Sequence, residues 1–182
     1  MMEIRSYRNE DRDAIVELHR EAFGQQEGEE VAALAIGLQA DLTAKPILSL
    51  LAEENGQVLG HVLFTAVNVV DGGKSVPGRV LAPVGVLPVA QGKGIGGRLI
   101  RAGLEQLRAS GAGLVFVLGH PSYYPRFGFE PAGRLGLHAP YPIPDKVADA
   151  WMVQELEPGL LGKVKGTVQC AEVLSHPEHW RE

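Results

Sequence analysis

The sequence predicts an α/β fold built on one mixed sheet, in which an antiparallel meander of strands leads into a parallel strand–helix–strand unit. Three observations carry the prediction. Asn55-Gly56 separates two runs of strand character, and a tight hairpin turn needs positive φ at both of its central positions. Asp71-Gly72-Gly73-Lys74 marks a second reversal, into the apolar run Val80 to Leu87. That run is followed by a glycine-rich turn and an amphipathic helix before the next apolar run, Leu114 to Leu118, and two strands joined through a helix run parallel.

Taken in order, Glu3 to Arg8 alternates and suits a first strand at a sheet edge. Asn9 is read as the N-cap of the next helix, with Glu10 and Asp11 in its first turn, where the helix dipole favours negative charge. Ile15, Leu18, Ala22 and Phe23 form its buried stripe, and Gly24 ends it. A second helix is predicted from about Glu27, with Val31, Leu34, Ala35, Leu38 and Leu42 at helical spacing, and Pro46 closes the region. Ile47 to Glu53 and Gln57 to Ala66 are the hairpin strands, and the strand ending in Val84 to Val86 completes the meander. Pro88 stops it, since proline has no N–H for a sheet ladder.

In the helix that follows, Ile95, Leu99, Ile100, Gly103, Leu104 and Leu107 share one face, and Arg98, Arg101, Glu105 and Arg108 fall on the other. After Phe129, Pro131, Pro140, Pro142, Pro144 and Pro158 amid glycine read as a long loop. Trp151 to Leu156 is a further strand candidate, and Val164, Gly166, Val168 and Cys170 alternate with polar residues as a final half-buried strand. The tail is expected to stay in the same domain, so residues 1–182 are read as one unit with its core at about 3–130.

With 22 acidic against 17 basic residues and no basic run, neither nucleic acid nor an anionic membrane is an expected partner. An acidic surface suits a cationic substrate. Met1-Met2-Glu3-Ile4-Arg5 lacks a signal-peptide apolar core, and no window reaches the length of a membrane span. A lone Cys170 allows neither an intrachain disulfide nor a thiolate cluster, which fits a reducing cytoplasm.

The chemistry is concentrated at Gln91-Gly92-Lys93-Gly94-Ile95-Gly96-Gly97. Glycines at the mouth of a helix let a ligand approach N–H groups without intrahelical partners, where the dipole favours an anion such as phosphate. A P-loop is excluded, because Leu87 stands where its first glycine should be and Gly94 where its hydroxyl residue should be. The dinucleotide pattern is met by Gly92, Gly94 and Gly97, but the strand ending at Gly119-His120 offers no carboxylate for a ribose. A third pattern fits more positions. Val86, Pro88, Gln91, Gly94 and Gly96, followed by Tyr124-Pro125-Arg126-Phe127-Gly128-Phe129, resemble the two spaced motifs of the GCN5-related N-acetyltransferase (GNAT) family. His120-Pro121-Ser122-Tyr123-Tyr124 and the tail are similar to a branch of small bacterial predicted acetyltransferases related to the YhbS group, and the core resemblance covers roughly residues 3 to 130.

The resemblance implies an acetyl-CoA-dependent N-acetyltransferase that passes an acetyl group directly to a primary amine in a ternary complex. On that reading Val84, Gly85 and Val86 pair with the pantetheine arm as an extra strand, and Gln91, Gly92, Lys93, Gly94, Ile95, Gly96 and Gly97 hold the pyrophosphate. Tyr124 takes the family's tyrosine position as general acid to the departing thiolate, with Tyr123 as its immediate rival. The family's Asn-x-x-Ala element is missing before it.

The general base stays open. Many relatives place a glutamate on the strand before the loop, and none lies between Arg79 and Gln91. Of Glu21, Glu29, Glu53, His61 and His120, the last is the leading candidate because it follows a strand end and precedes the tyrosine pair. His176-Pro177-Glu178-His179 has metal-like spacing but reads as an exposed tail, so no metal is expected. Cys170, far in sequence from the glycine turn, argues against an acetyl-enzyme. The alternative function is a non-catalytic acyl-CoA-binding or regulatory module of the same fold, and the alternating tail strand is the motive for expecting a homodimer.

Overall fold

The structure is a computed structural model and describes residues 1–181. Strand β1 (Glu3–Ser6) precedes helix α1 (Arg12–Ala40). Strands β2 (Leu48–Glu54), β3 (Gln57–Asp71) and β4 (Lys74–Val86) form the meander, and helix α2 (Ile95–Ala109) leads to β5 (Leu114–Leu118). The tail adds β6 (Glu130–Pro131), β7 (Leu137–His138), β8 (Trp151–Glu155) and β9 (Gly166–Gln169). All belong to one sheet in the order β1-β2-β3-β4-β5-β8-β6, with β9 joined to β3 and β7. The pairs from β1 to β4 are antiparallel and β4 runs parallel to β5, as the intervening helix requires.

Both turns of the meander have the backbone their residues favour. Asn55 and Gly56 sit at φ 52° and 79°, and Gly72 and Gly73 at 53° and 91°. Two sequence expectations are corrected. Asn9 is not the helix cap: it lies in a 3₁₀ turn (Asn9–Asp11), and Asp11 instead accepts the Arg8 N–H at 2.7 Å. The region after Phe129 is not one long loop, because short strands punctuate it and β8 pairs antiparallel with β5 along its whole length. The expected helix break at Gly24 is present inside α1, at φ 82° and ψ 178°. Past it the chain folds back so tightly that a Cβ at Gly28 would lie 2.5 Å from the Arg20 carbonyl oxygen.

The pleat divides β3 between two cores. Gly60, Val62 and Phe64 face α2, whose Ile95, Leu99, Ile100, Gly103, Leu104 and Leu107 are all buried. His61 and Leu63 face the side covered by α1. The tail is docked by two tryptophans. Trp151 stacks on Phe116 at 5.1 Å and donates to the Leu137 carbonyl, while Trp180 meets the Trp151 ring edge-on and donates to the Leu174 carbonyl.

Two polar groupings are enclosed in this frame. Arg5 on β1 holds Asp11 with two N–H groups at 2.8 Å and Glu53 on β2 at 2.8 Å, which ties the edge strand to the entry of α1. His19 on α1, His61 on β3 and Ser49 on β2 form a chain, with His19 Nε2 2.9 Å from His61 Nδ1 and His61 Nε2 2.8 Å from Ser49 Oγ. Neither ring is exposed. Burial lowers His19 from the usual histidine value to about 4 and His61 to about 3, with the His19 charge depressing His61 further and Asp11 opposing that.

Two outcomes follow. A Cβ at Gly103 would lie 2.2 Å from Cε2 of the fully buried Phe64 ring. Gly103→Ala is therefore expected to lose about 1–3 kcal/mol to overpacking despite a helix-propensity gain of about 1 kcal/mol, read as a lower urea midpoint with unchanged slope. Acidification should destabilise the protein earlier than carboxylate titration would. Between pH 6.5 and about 4 the unfolded chain protonates at His19 and His61 while the folded chain does not, so stability falls as pH drops through that window. The slope is up to about 1.4 kcal/mol per pH unit for each ring. Melting temperature followed from pH 7 to 5 should drop, and the double variant His19→Gln, His61→Gln should flatten the curve.

Candidate active site

The site begins where two strands part. β4 pairs with β5 only as far as Leu81 opposite Val117, yet on its other side it stays paired with β3 through Val86. Opposite Ala82 and Pro83 the β3–β4 register shifts, as a bulge does when it re-aims a strand. From Ala82 to Val86 the β5-facing edge of β4 has no strand partner, and backbone groups lie open in the resulting wedge. Gln91 reaches back across its end, its Nε2 donating to the Val86 carbonyl at 3.1 Å.

One cavity lies where the wedge meets α2. Gly92 and Gly94 take positive φ of 80° and 77°, and a Cβ at either position would meet nothing within 4 Å. These glycines are there for the backbone and for the open space above it, not for packing. The turn delivers the chain into α2, whose first N–H groups, at Ile95, Gly96 and Gly97, have no intrahelical partner. The cavity, about 410 Å³, is lined by Val86, Gln91, Gly92, Gly94, Ile95, Gly96 and Gly97. Arg101, Tyr123 and Arg126 also line it. The Arg101 guanidinium lies 4.8 Å from the Phe127 ring centroid and that of Arg126 lies 4.6 Å from the Tyr123 ring. Sequence reasoning assigned neither arginine to the cavity. Arg101 stands one helical turn after Gly97, a spacing that signals the approach only once the turn is known to bind. Lys93 is exposed and does not line the cavity.

A second cavity, about 270 Å³, occupies the α1 side of the wedge between the ends of β4 and β5. Phe23 and Val31, on either side of the break in α1, wall it together with Val84, Gly119 and Tyr124, and the tail returns Leu174, His179 and Trp180 over it. Its lining carries no Asp, Glu, Lys or Arg. Beside it, and sharing Val31, Leu34 and His179, is a hollow edged by Glu27, Glu30 and Glu178. Of 176–179, His176, Pro177 and Glu178 are exposed as expected, whereas His179, next to the buried Trp180, is half-buried and lines both hollows.

The adjacent tyrosines point to different cavities. Tyr123 lines the glycine cavity, its hydroxyl 3.5 Å from the point a Gly96 Cβ would occupy. Tyr124 lines the α1-side cavity and is buried against Phe127 and Phe129. A Cβ at Gly119 would lie 2.3 Å from the Tyr124 ring, so a glycine at the end of β5 is what lets that ring lie against the strand. Both tyrosine N–H groups donate to the His120 carbonyl, and Pro125 fits the first turn of the 3₁₀ segment Tyr124–Phe127, where a missing N–H costs nothing. His120 itself is exposed at the rim. Gly85 lines neither cavity and is buried beneath His19 and Phe23. Cys170 follows β9, half-buried beside Ser175, and lines neither cavity; burial raises its thiol. Among the described residues no group of three metal-ligating side chains comes together, and no helix is long and apolar enough to cross a membrane.

Comparison with known proteins agrees with this architecture. Residues 3–132 match the acetyltransferase (GNAT) domain model. The chain is 45% identical over 163 residues to YjhQ of Escherichia coli K12, an uncharacterized N-acetyltransferase, covering 89% of this chain and 88% of that protein. It is similar in structure to the E. coli GNAT-family N-acetyltransferase YhbS solved in complex with CoA, with a TM-score of 0.85 and 31% identity over 96% of this chain and 92% of that one. A GNAT-family acetyltransferase from Brucella melitensis, solved in complex with acetyl-CoA, superposes with a TM-score of 0.75 and 34% identity, covering 96% and 98% of the two chains. With the wedge, the glycine turn and these likenesses in agreement, the chain belongs to the GCN5-related N-acetyltransferase family.

Proposed function

We propose that this protein transfers an acetyl group from acetyl-CoA to a primary amine, directly and within a ternary complex. The observation that carries the reading is the open β4 edge running from the glycine cavity into the α1-side cavity. It leads from a place for phosphates to a place for an acceptor. The structure of YhbS contains CoA and the B. melitensis structure acetyl-CoA, which supports the same donor here.

The residues fit that donor on their own chemistry. Side chains are absent at Gly92 and Gly94 where a pyrophosphate would lie, the N–H groups of Ile95, Gly96 and Gly97 are available to its oxygens, and Arg101 and Arg126 supply positive charge. Val84 to Val86 present backbone donors and acceptors to an amide-bearing arm in the manner of strand addition. On this reading a main-chain N–H of this edge polarises the thioester carbonyl. The donor supplies the activated acetyl group; the protein orients it and manages protons.

The acceptor side is walled mainly by apolar side chains and carries no Asp, Glu, Lys or Arg, so an amine held there is partly stripped of water and favoured in its neutral, nucleophilic form. The three glutamates at the adjoining hollow favour the approach of a cation from outside. Tyr124, on the acceptor side, donates its hydroxyl hydrogen to the departing sulfur, while Tyr123 stacks under Arg126 in the donor cavity. Cys170 lies outside both cavities, which supports direct transfer over an acetyl-cysteine route.

Calorimetry with acetyl-CoA tests the donor half. The native protein should bind, Gly94→Glu should abolish binding by placing a carboxylate and a strained φ in the cradle, and Arg126→Ala should weaken binding about 10-fold with a shallower salt dependence. Absence of binding by the native protein overturns the proposal. Thiol release across an amine panel tests the chemical half. Tyr124→Phe should lower kcat by about 10²-fold with the acetyl-CoA Kd unchanged. Binding without thiol release for any amine would point instead to the non-catalytic module.

A further inference from the structure

No carboxylate occupies the strand before the glycine turn, yet an amine attacking a thioester must lose a proton. We propose that His19 is the base that takes it, and that His61 and Ser49 hold His19 in the required tautomer and carry the proton along the α1 face of the sheet to a separate hollow. This assignment rests on the acetyltransferase reading above and names the group that reading lacks.

Geometry carries the inference. Gly85 pairs with His61 across β3 and β4 and belongs to the stretch of β4 that has no partner on the β5 side, where the acetyltransferase reading puts the thioester. A side chain at position 85 would meet His19 Nδ1 at 2.8 Å and Phe23 Cε2 at 3.2 Å. The glycine therefore lets an imidazole nitrogen press against the strand. That nitrogen is buried and has no hydrogen-bond partner among the described residues. Its ring is otherwise engaged: Nε2 faces His61 at 2.9 Å, and His61 faces Ser49 Oγ at 2.8 Å.

The polarity of the chain follows from its ends. An orphaned buried N–H is rarer than an under-used acceptor, which places the His19 proton on Nε2 and leaves the Nδ1 lone pair bare. Nε2–H then donates to His61 Nδ1, so the His61 proton sits on Nε2 and donates to Ser49 Oγ. Ser49 lines a separate hollow with Tyr7, Gln39 and Lys45. The charged groups around the chain are few. Asp11 faces His61 but is already held by Arg5, which also binds Glu53 of β2. Because burial keeps both rings neutral, the Nδ1 lone pair is bare at working pH.

The step balances. The amine nitrogen bonds to the acetyl carbon, the C–S bond breaks, and the sulfur leaves as a thiolate that takes a proton from Tyr124. The proton released from nitrogen goes to His19 Nδ1, the Nε2 proton moves to His61 Nδ1, the His61 Nε2 proton moves to Ser49, and Ser49 releases one to water. With product gone, water at the site takes the proton from His19 Nδ1, the His61 Nδ1 proton returns to His19 Nε2, the Ser49 proton returns to His61 Nε2, water in the hollow at Ser49 supplies Ser49 with another, and Tyr124 regains its own from solvent. Phe23, whose ring centroid is 6.0 Å from that of His19, lines the acceptor cavity and immediately precedes the Gly24 break, so on this proposal the route from the cavity to Nδ1 runs past its ring.

Two measurements test the relay. Nitrogen-15 NMR of the histidine rings, which needs no acceptor, should show His19 and His61 neutral with their protons on Nε2, and His61→Asn should perturb the His19 signals. A His19 proton on Nδ1 overturns the proposal. With an amine found by thiol release, His19→Asn should lower kcat by about 10²–10³-fold and His61→Asn by about 10-fold, each with the acetyl-CoA Kd unchanged, which shows that the variants fold. His61→Gln, able to accept from His19, should recover part of the loss. Native turnover that persists within threefold in His19→Asn overturns the relay alone, whereas native protein that releases no thiol with any amine overturns the acetyltransferase reading and the relay with it.

Discussion

The structure depends on the point at which β4 loses one of its two partners. From Gly78 to Leu81 it is an interior strand, bonded to β3 on one side and β5 on the other; from Ala82 onward only β3 remains. An interior strand has no backbone to offer a ligand, and an edge strand in the middle of a sheet does. The bulge opposite Ala82-Pro83 and the short β5 create that edge, and the elements that follow are arranged around it. On one side α2 begins at the glycine turn, and on the other the broken α1 lies across the strand ends.

The wedge stays open because the packing around it is closed. Phe64 occupies the place a side chain at Gly103 would take, which brings α2 against β3 and sets the direction of its N-terminus. The Trp151–Phe116 stack and the Trp180 anchor pin the tail on the opposite side, so residues late in the chain wall the α1-side cavity. Each of these contacts is a ring filling the space of an absent side chain or another ring. Interiors packed at crystal-like density transmit such constraints over several elements.

The two polar groupings enclosed on the α1 face are hydrogen-bonded with one exception. The Arg5–Asp11–Glu53 cluster is fully paired and joins β1, α1 and β2. The His19–His61–Ser49 chain is paired at every position but one, and the unpaired nitrogen is the one beside Gly85 on the open strand edge. An unsatisfied buried nitrogen costs on the order of 1–3 kcal/mol, so its position beside the wedge separates this chain from an ordinary structural network.

By itself the sequence determined what short-range chemistry dictates: the meander with its Asn55-Gly56 and Gly72-Gly73 turns, the parallel β4–α2–β5 unit, the break at Gly24, and an anion-ready turn at Gln91–Gly97. These rest on periodicity and on φ preferences that a few neighbouring residues settle. Tertiary structure decided which distant residues share a cavity. Nothing near His61 in the chain marks it as the partner of His19, because the two meet only when α1 is laid across β3, and alternation along a strand says which face a residue takes but not what covers that face. The same holds for Arg101 and Arg126, placed at the glycine cavity by the approach of the Tyr124–Phe127 turn to α2, and for His179, brought back over the wedge by the Trp180 anchor. Separation of Tyr123 from Tyr124 was likewise a tertiary outcome, since adjacent residues with equal chemistry are distinguished only by the walls each one meets.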